Sequence, residues 1–191
     1  MQLILASGSA RRRELMELMG YDFTVIAANA DEDIALCEPG EYVKKLALMK
    51  AREVFSNHLD ACVIGSDTIV WLSGEIIGKP NDEADALRIL KKLAGRTHTV
   101  YTGVAMLAGG SENVFYDQTD VTFNDLTEAE LLSYITTGEP LDKAGAYGIQ
   151  GPGSFLVSRV EGCYFTVMGL PNPKVYRALR DVGVFPRWMR K

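Results

Sequence analysis

Short apolar runs and longer stretches of helical spacing alternate along this chain, separated by polar turns. Leu3-Ile4-Leu5-Ala6 reads as a strand and Ser7-Gly8-Ser9 as a tight turn. The amphipathic run Glu14 to Met19, entered through Arg11-Arg12-Arg13, reads as a helix that stops at Gly20. Phe23-Thr24-Val25-Ile26 predicts a second strand, which runs into Asn29-Ala30-Asp31-Glu32-Asp33. Pro39-Gly40 opens a helix over about Glu41 to Phe55, with Val43, Leu46, Ala47, Ala51, Val54 and Phe55 at helical spacing. Ala61-Cys62-Val63-Ile64-Gly65 is almost continuously apolar, as expected of a strand buried on both faces, and Ile69-Val70-Trp71-Leu72 resumes it after Ser66-Asp67-Thr68.

Ser73-Gly74 predicts a hairpin turn and Glu75-Ile76-Ile77 its return strand, ending at Gly78-Lys79-Pro80. Asn81 or Asp82 can cap the next helix, which carries Ala84, Leu87, Leu90 and Leu93 and stops at Gly95. Thr97 to Leu107 is strand-like, Ala108-Gly109-Gly110-Ser111 is a turn, and Val114 to Phe123 contains a further strand or two, together resembling an antiparallel hairpin. Thr127-Glu128-Ala129-Glu130 is an N-cap and acidic first turn for a helix to about Thr137. Four glycines and a proline within Asp142 to Gly153 predict a loop in which backbone comes close to a ligand or another strand. Ser154 to Val160 and Cys163 to Met168 are expected to form an apolar hairpin about Glu161-Gly162, and Pro173 to about Val182 a final helix. There is no internal repeat, low-complexity linker or clear domain boundary.

With 191 residues and 47% apolar side chains the chain can bury a core without disulfide or metal support. The net charge of −5 disfavours general binding to nucleic acid or an anionic membrane, so any anion site must be a local basic focus. Cys37, Cys62 and Cys163 are odd in number, widely spaced and without a metal pattern, and are expected to be buried small apolar residues in a reducing compartment. The first apolar run is about four residues, too short for a secretory core, and no stretch approaches the ~20 apolar residues of a membrane span. A cytoplasmic protein is expected.

The arginine cluster breaks a local rule, because cations are disfavoured at the positive end of a helix dipole. The same turn offers unpaired backbone N–H groups, two hydroxyls and a glycine, which together suit a phosphate; arginines turned into solvent are the plainer alternative. Asp67 is a lone carboxylate between hydrophobic runs and must be hydrogen-bonded, paired or metal-bound. Glu32 belongs to a charge run that reads as a solvated loop, with service to a divalent cation as the alternative. Arg11, Arg12, Lys79, Glu32 and Asp67 all fall near predicted strand ends or helix starts, which line one crevice in an open α/β sheet. Cations with a pair of acids meet the needs of metal-assisted phosphoryl chemistry. Neither GxxxxGK[ST] nor GxGxxG is present, so a P-loop ATPase or dinucleotide oxidoreductase is disfavoured.

Leu5-Ala6-Ser7-Gly8-Ser9-Ala10-Arg11-Arg12 resembles the ASxSPRR opening of the Maf family of nucleotide pyrophosphatases. Gly65-Ser66-Asp67-Thr68, Gly78-Lys79-Pro80, Asp142-Lys143-Ala144-Gly145-Ala146-Tyr147 and Gly169-Leu170-Pro171 resemble its other motifs in the same order. The resemblance spans nearly the whole chain and implies one Maf-like domain over residues 1–191. It implies an elongated α/β fold, a mixed sheet flanked by helices with two lobes around a cleft, related to the inosine triphosphate pyrophosphatases. The implied activity is hydrolysis of a nucleoside triphosphate to the monophosphate and diphosphate with a divalent metal, Mg²⁺ or Mn²⁺.

By position in those motifs Asp67 matches the family's catalytic acidic residue, and Ser7, Arg12, Glu32, Lys50 and Lys79 match its phosphate- and metal-handling set, Glu32 and Asp67 serving the metal. Lys50 enters by resemblance alone. Arg11, Thr68 and Gln150 look like the branch acting on thymidine and uridine triphosphates, where the methylated-guanine branch has Trp, Gln and Glu. Ala10 stands where the family mostly has Pro, which affects rigidity of the first helical turn and not chemistry. The leading expectation is a pyrophosphatase of dTTP and UTP. A nucleotide-binding regulator of cell division with little hydrolysis is the alternative, and a nucleic-acid-binding module a third that the charge opposes. The expected partner is the nucleotide, without stable nucleic-acid or membrane binding; a homodimer is left open.

Overall fold

The apolar runs become the strands of a seven-stranded sheet. In the computed structural model, which describes residues 1–30, 32 and 34–190, these are β1 (Leu3–Ala6), β2 (Thr24–Val25), β3 (Cys62–Leu72), β4 (Glu75–Ile77), β5 (Thr97–Ala108), β6 (Ser111–Phe123) and β7 (Val157–Gly162). Asp31 and Asp33 of the acidic run lie outside the described residues. The strand order is β2-β1-β3-β5-β6-β7, with β4 also paired to β3. β1 is parallel to β2 and β3, whereas β4 is antiparallel to β3 and β7 to β6, so the sheet is mixed as expected. Six helices accompany it among the described residues: α1 (Ala10–Leu18), α2 (Pro39–Phe55), α3 (Glu83–Leu93), α4 (Glu128–Ile135), α5 (Tyr164–Met168) and α6 (Asn172–Asp181). No described helix is long and apolar enough to cross a membrane.

Contacts divide the chain into two units. The first comprises Met1–Asp67, Thr102–Asp117 and the described residues from Met168 onward; the second comprises Thr68–Tyr101 and Gln118–Val167. The first unit's core joins Ile4 and Ala6 of β1, Ala47, Ala51 and Val54 of α2, Val63 of β3, and Ala105 and Leu107 of β5. Small residues let α2 sit directly on strand backbone. A Cβ on Gly65 would stand 2.3 Å from the Ala47 carbonyl oxygen, and one on Gly103 would stand 2.2 Å from that of Val43.

The second unit's core joins Val70, Leu72 and Ile77 to Ala86, Ile89, Leu90 and Leu93 of α3 and to Leu131, Tyr134 and Ile135 of α4. Asp82 caps α3 by accepting from the Asp85 N–H at 2.8 Å. Thr127 and Glu130 cap α4 reciprocally, as their spacing predicts. His98, Phe123 and Tyr147 meet edge to face, with centroids 4.8 to 5.3 Å apart. His98 Nε2 lies 2.8 Å from the Tyr147 hydroxyl, while its buried Nδ1 has no hydrogen-bond partner among the described residues.

Several expectations are corrected. The buried face of α3 is the stripe Ala86, Ile89, Leu90 and Leu93, an i, i+3, i+4, i+7 set from which Ala84 falls away into solvent. The expected hairpin from Ser154 to Met168 does not form. Ser154 belongs to a 3₁₀ turn over Gly151–Leu156, β7 finds its partner in β6, and Tyr164–Met168 is helical. Cys62 is buried, but Cys37 and Cys163 are only half-buried. Asp67 lies inside the eleven-residue β3, not at its end.

Two outcomes follow for stability. Gly103→Ala forces a methyl onto α2 main chain that cannot swing aside, and should lower the unfolding free energy by ~1–3 kcal/mol. Gly78→Ala, with no atom of the described residues within 4 Å of the added carbon, should leave the urea midpoint nearly unchanged. Equal midpoints would contradict this helix–strand contact. Burial pulls the His98 pKa down from 6.5 to about 4, against a smaller raising effect of Asp120. The unfolded chain therefore takes up the proton first as pH falls. Stability from neutral His98 is complete above pH 6.5 and is lost between there and pH 4, a loss on the order of 3 kcal/mol. Urea melts across that window should fall more steeply for the parent than for His98→Gln, and parallel profiles would refute the assignment.

Candidate active site

In the first unit, Ser7 follows the last residue of β1 and Arg12 lies in the first turn of α1. Arg12 Nη1 donates to Ser7 Oγ at 3.0 Å and Arg12 Nε to the Gly169 carbonyl at 2.9 Å, which fixes the guanidinium across the turn. Ser9 N–H also donates to Ser7 Oγ, at 3.3 Å. A hydroxyl that accepts twice keeps its own proton to donate, so Ser7 is set up as a donor. Ser9 caps α1 by accepting from Arg12 N–H, and no acid occupies the first turn. The helix start thus keeps the positive potential that its arginines reinforce. Arg11 is half-buried beside this group, while Arg13 is exposed on the outer side.

The acids are held by one ammonium. Lys50, on the part of α2 that Ala47 and Ala51 seat on β3, places Nζ 2.7 Å from Asp67 Oδ1 and 2.9 Å from Glu32 Oε1. The Lys50 and Asp67 side chains are 13% and 11% exposed, against 56% for Glu32, so Lys50–Asp67 is the inner pair and Glu32 faces water. The two clusters feel each other. Burial lowers the Arg12 pKa, Asp67 opposes it most, Arg11 adds to the lowering, and Glu32 opposes it further. Ser7, Arg11, Arg12, Glu32, Lys50 and Asp67 therefore form one charged constellation within this unit.

The second unit holds the other three residues. Thr68 follows Asp67 on β3 and is half-buried, Lys79 is exposed between β4 and α3, and Gln150 is exposed just before the 3₁₀ turn Gly151–Leu156. Sequence reasoning gave Ser66 no role of its own. It is fully buried, with its hydroxyl 2.9 Å from the Gly103 carbonyl and 3.1 Å from that of Gly169, the same carbonyl that receives Arg12 Nε. Ser66 thereby ties β3 to the segment that orients Arg12. The signal was available, because a hydroxyl inside a buried run must find an acceptor.

Donors at Ser7 and Arg12 suit phosphate oxygens, and the Asp67 carboxylate suits acceptance of a proton from water. Among the described residues no group of three or more His, Cys, Asp and Glu side chains could hold a metal ion. That does not disqualify Mg²⁺, which usually takes one or two carboxylates together with waters and substrate phosphates. Glu32 and Asp67, brought to a common ammonium, are a donor set of that size.

The chain resembles known proteins over most of its length. Over 184 residues, 96% of each chain, the sequence is 48% identical to a Bacillus cereus protein named dTTP/UTP pyrophosphatase and 47% identical to a Bacillus anthracis protein of the same name. A solved structure, that of the Staphylococcus aureus Ham1 protein, matches 65% of this chain and 73% of its own with a TM-score of 0.49 and 18% identity. The family model described as Maf-like protein matches residues 2–182. With a family model matched over residues 2–182 and relatives 47–48% identical over 96% of its length, this chain belongs to the Maf-like protein family.

Proposed function

We propose that the protein hydrolyses dTTP and UTP to the nucleoside monophosphate and diphosphate. The observation that carries this reading is the Lys50 ammonium holding Asp67 and Glu32 together in the unit that also presents Arg12 and Ser7. The names of relatives 47–48% identical over nearly the whole chain support the substrate pair.

In this mechanism the triphosphate binds through Arg12 and the Ser7 hydroxyl, with Lys79 as a further phosphate contact by its place in the Gly78-Lys79-Pro80 motif. Asp67 accepts a proton from the attacking water as its oxygen bonds to the α-phosphorus. The bond from that phosphorus to the bridging oxygen breaks, and diphosphate leaves with the electron pair. Charge accumulates on the leaving group, where cations count most. Lys50 keeps Asp67 in one orientation during proton transfer. Glu32 and Asp67 would hold the divalent cation, Mg²⁺ or Mn²⁺, which when bound supplies charge neutralisation and polarisation of phosphate and water. Arg11, Thr68 and Gln150 are assigned to the base. The uracil and thymine edge presents two carbonyls about an N3–H; an amide held in one orientation meets that pattern, and cytosine, whose N3 accepts and whose N4 donates, would leave it unpaired.

The direct test is diphosphate release from a nucleotide panel with Mg²⁺. Asp67→Asn keeps the shape and removes the base, and kcat should fall by at least ~100-fold with the urea midpoint retained. Near-parent turnover by the folded variant would make Asp67 structural and overturn the mechanism. Phosphate and base contacts should separate on the same panel. Arg12→Ala should reduce kcat/KM on every nucleotide alike, whereas Gln150→Glu should erode the preference for UTP over CTP, which an unpaired polar group would set at ~1–3 kcal/mol. A parent preference for guanine nucleotides, or an unchanged ranking in Gln150→Glu, would reject the base assignment.

A further inference from the structure

Glu139 has no part in the mechanism above, yet it sits at the centre of the glycine-rich loop that carries Gln150. The residue opens the 3₁₀ turn Glu139–Asp142, which follows α4 after three residues. Its Oε2 accepts from the Gly153 N–H at 3.0 Å. Its Oε1 fills the space beside two other loop glycines: a Cβ would come within 2.9 Å of it from Gly148 and within 3.3 Å from Gly151. The loop's near end is tied separately, by Gly148 N–H donating to the buried Tyr134 hydroxyl at 3.0 Å. Glu139 is itself held in place, since Lys143 Nζ donates to its main-chain carbonyl at 2.7 Å. Gln150 stands between these ties, in extended backbone (φ −104°, ψ 168°) with its side chain exposed.

We infer that Glu139, by binding the Gly153 N–H and filling the space beside Gly148 and Gly151, is a positioning residue that sets the loop conformation and through it the base preference exerted by Gln150. A carboxylate is a strong acceptor of a backbone N–H, and a bond at the far end of a six-residue loop removes much of its freedom. Losing it costs binding and selectivity more than bond breaking, because Gln150 contacts the base and not the phosphates. The inference rests on the reading of Gln150 given above.

The test measures kcat and KM on UTP and CTP for the parent, Glu139→Ala, Glu139→Gln and Gln150→Ala. Glu139→Ala should raise KM for UTP about tenfold with kcat within about threefold, and should collapse the UTP:CTP ratio toward that of Gln150→Ala. Glu139→Gln, which keeps a carbonyl acceptor, should restore most of the ratio. If Gln150→Ala collapses the ratio and Glu139→Ala leaves it intact, the inference is wrong and the reading of Gln150 stands. If Gln150→Ala itself leaves the ratio intact, that reading fails and the inference falls with it. Damage by Glu139→Gln equal to that by Glu139→Ala also overturns the role given to the acceptor. Should Glu139→Ala not fold, Glu139→Asp decides: it keeps the charge but is one methylene too short, so an unshifted ratio again refutes the proposal.

Discussion

The Lys50 ammonium is shared by two carboxylates, and most of what is distinctive about the first unit serves to bring it there. A Lys side chain this enclosed needs a partner, and so does an Asp on a strand buried on both faces; without the Asp67 charge Lys50 keeps its pair with Glu32, whereas without Lys50 the enclosed Asp67 carboxylate loses its ammonium, at a cost of ~3–5 kcal/mol. Their meeting depends on how closely α2 approaches β3. That approach depends in turn on bare main chain at Gly65 and on the methyl-sized Ala47 and Ala51. Ser66, next along the strand, adds a hydroxyl that reaches the carbonyl already holding Arg12. The acidic and cationic clusters are therefore linked through two adjacent residues of one strand, which is why a small shift of β3 would be felt by both.

Legibility of this arrangement in the sequence follows from how local each cause is. Asp67 stood out because a carboxylate inside a hydrophobic run is anomalous by itself, and Arg12 because cations at a helix start offend the dipole. The caps at Asp82 and Thr127 were visible because capping spans three residues. Lys50 was not visible from pattern, since α2 also carries Lys44 and Lys45 and only the packing of the helix on the sheet distinguishes the three. The segment from Tyr164 to Met168 misled for the opposite reason. Its aromatic and β-branched residues favour strand, and five residues are too few to show a helical period. The choice was made by β6, which offers β7 a ladder and leaves the following residues to turn.

A similar division applies to the loop around Gln150. Glycines at 145, 148, 151 and 153 announced that something approaches the backbone closely, without saying what. Part of the answer is the protein itself: Val70 lies against Gly145, Glu139 against Gly148 and Gly151, and Tyr134 against Gly153. Such a loop is ordered from within by side chains of α4 and the turn after it, and needs no ligand to account for its composition.

The place of Asp67 inside a long strand has a consequence for how this chain can change length. An acid on a loop tolerates a gained or lost neighbour, because the loop absorbs it. On β3 the alternation of faces leaves no such slack, and one residue inserted between Cys62 and Ser66 would turn Asp67 to the opposite side and bring Ser66 to its place. The β1 partner residues Leu3 to Ala6 would be thrown out of step at the same time. A residue added at the hairpin tips Ser73-Gly74 or Gly109-Gly110 lies beyond the β3 residues that pair with β1, and leaves Asp67 on its own face.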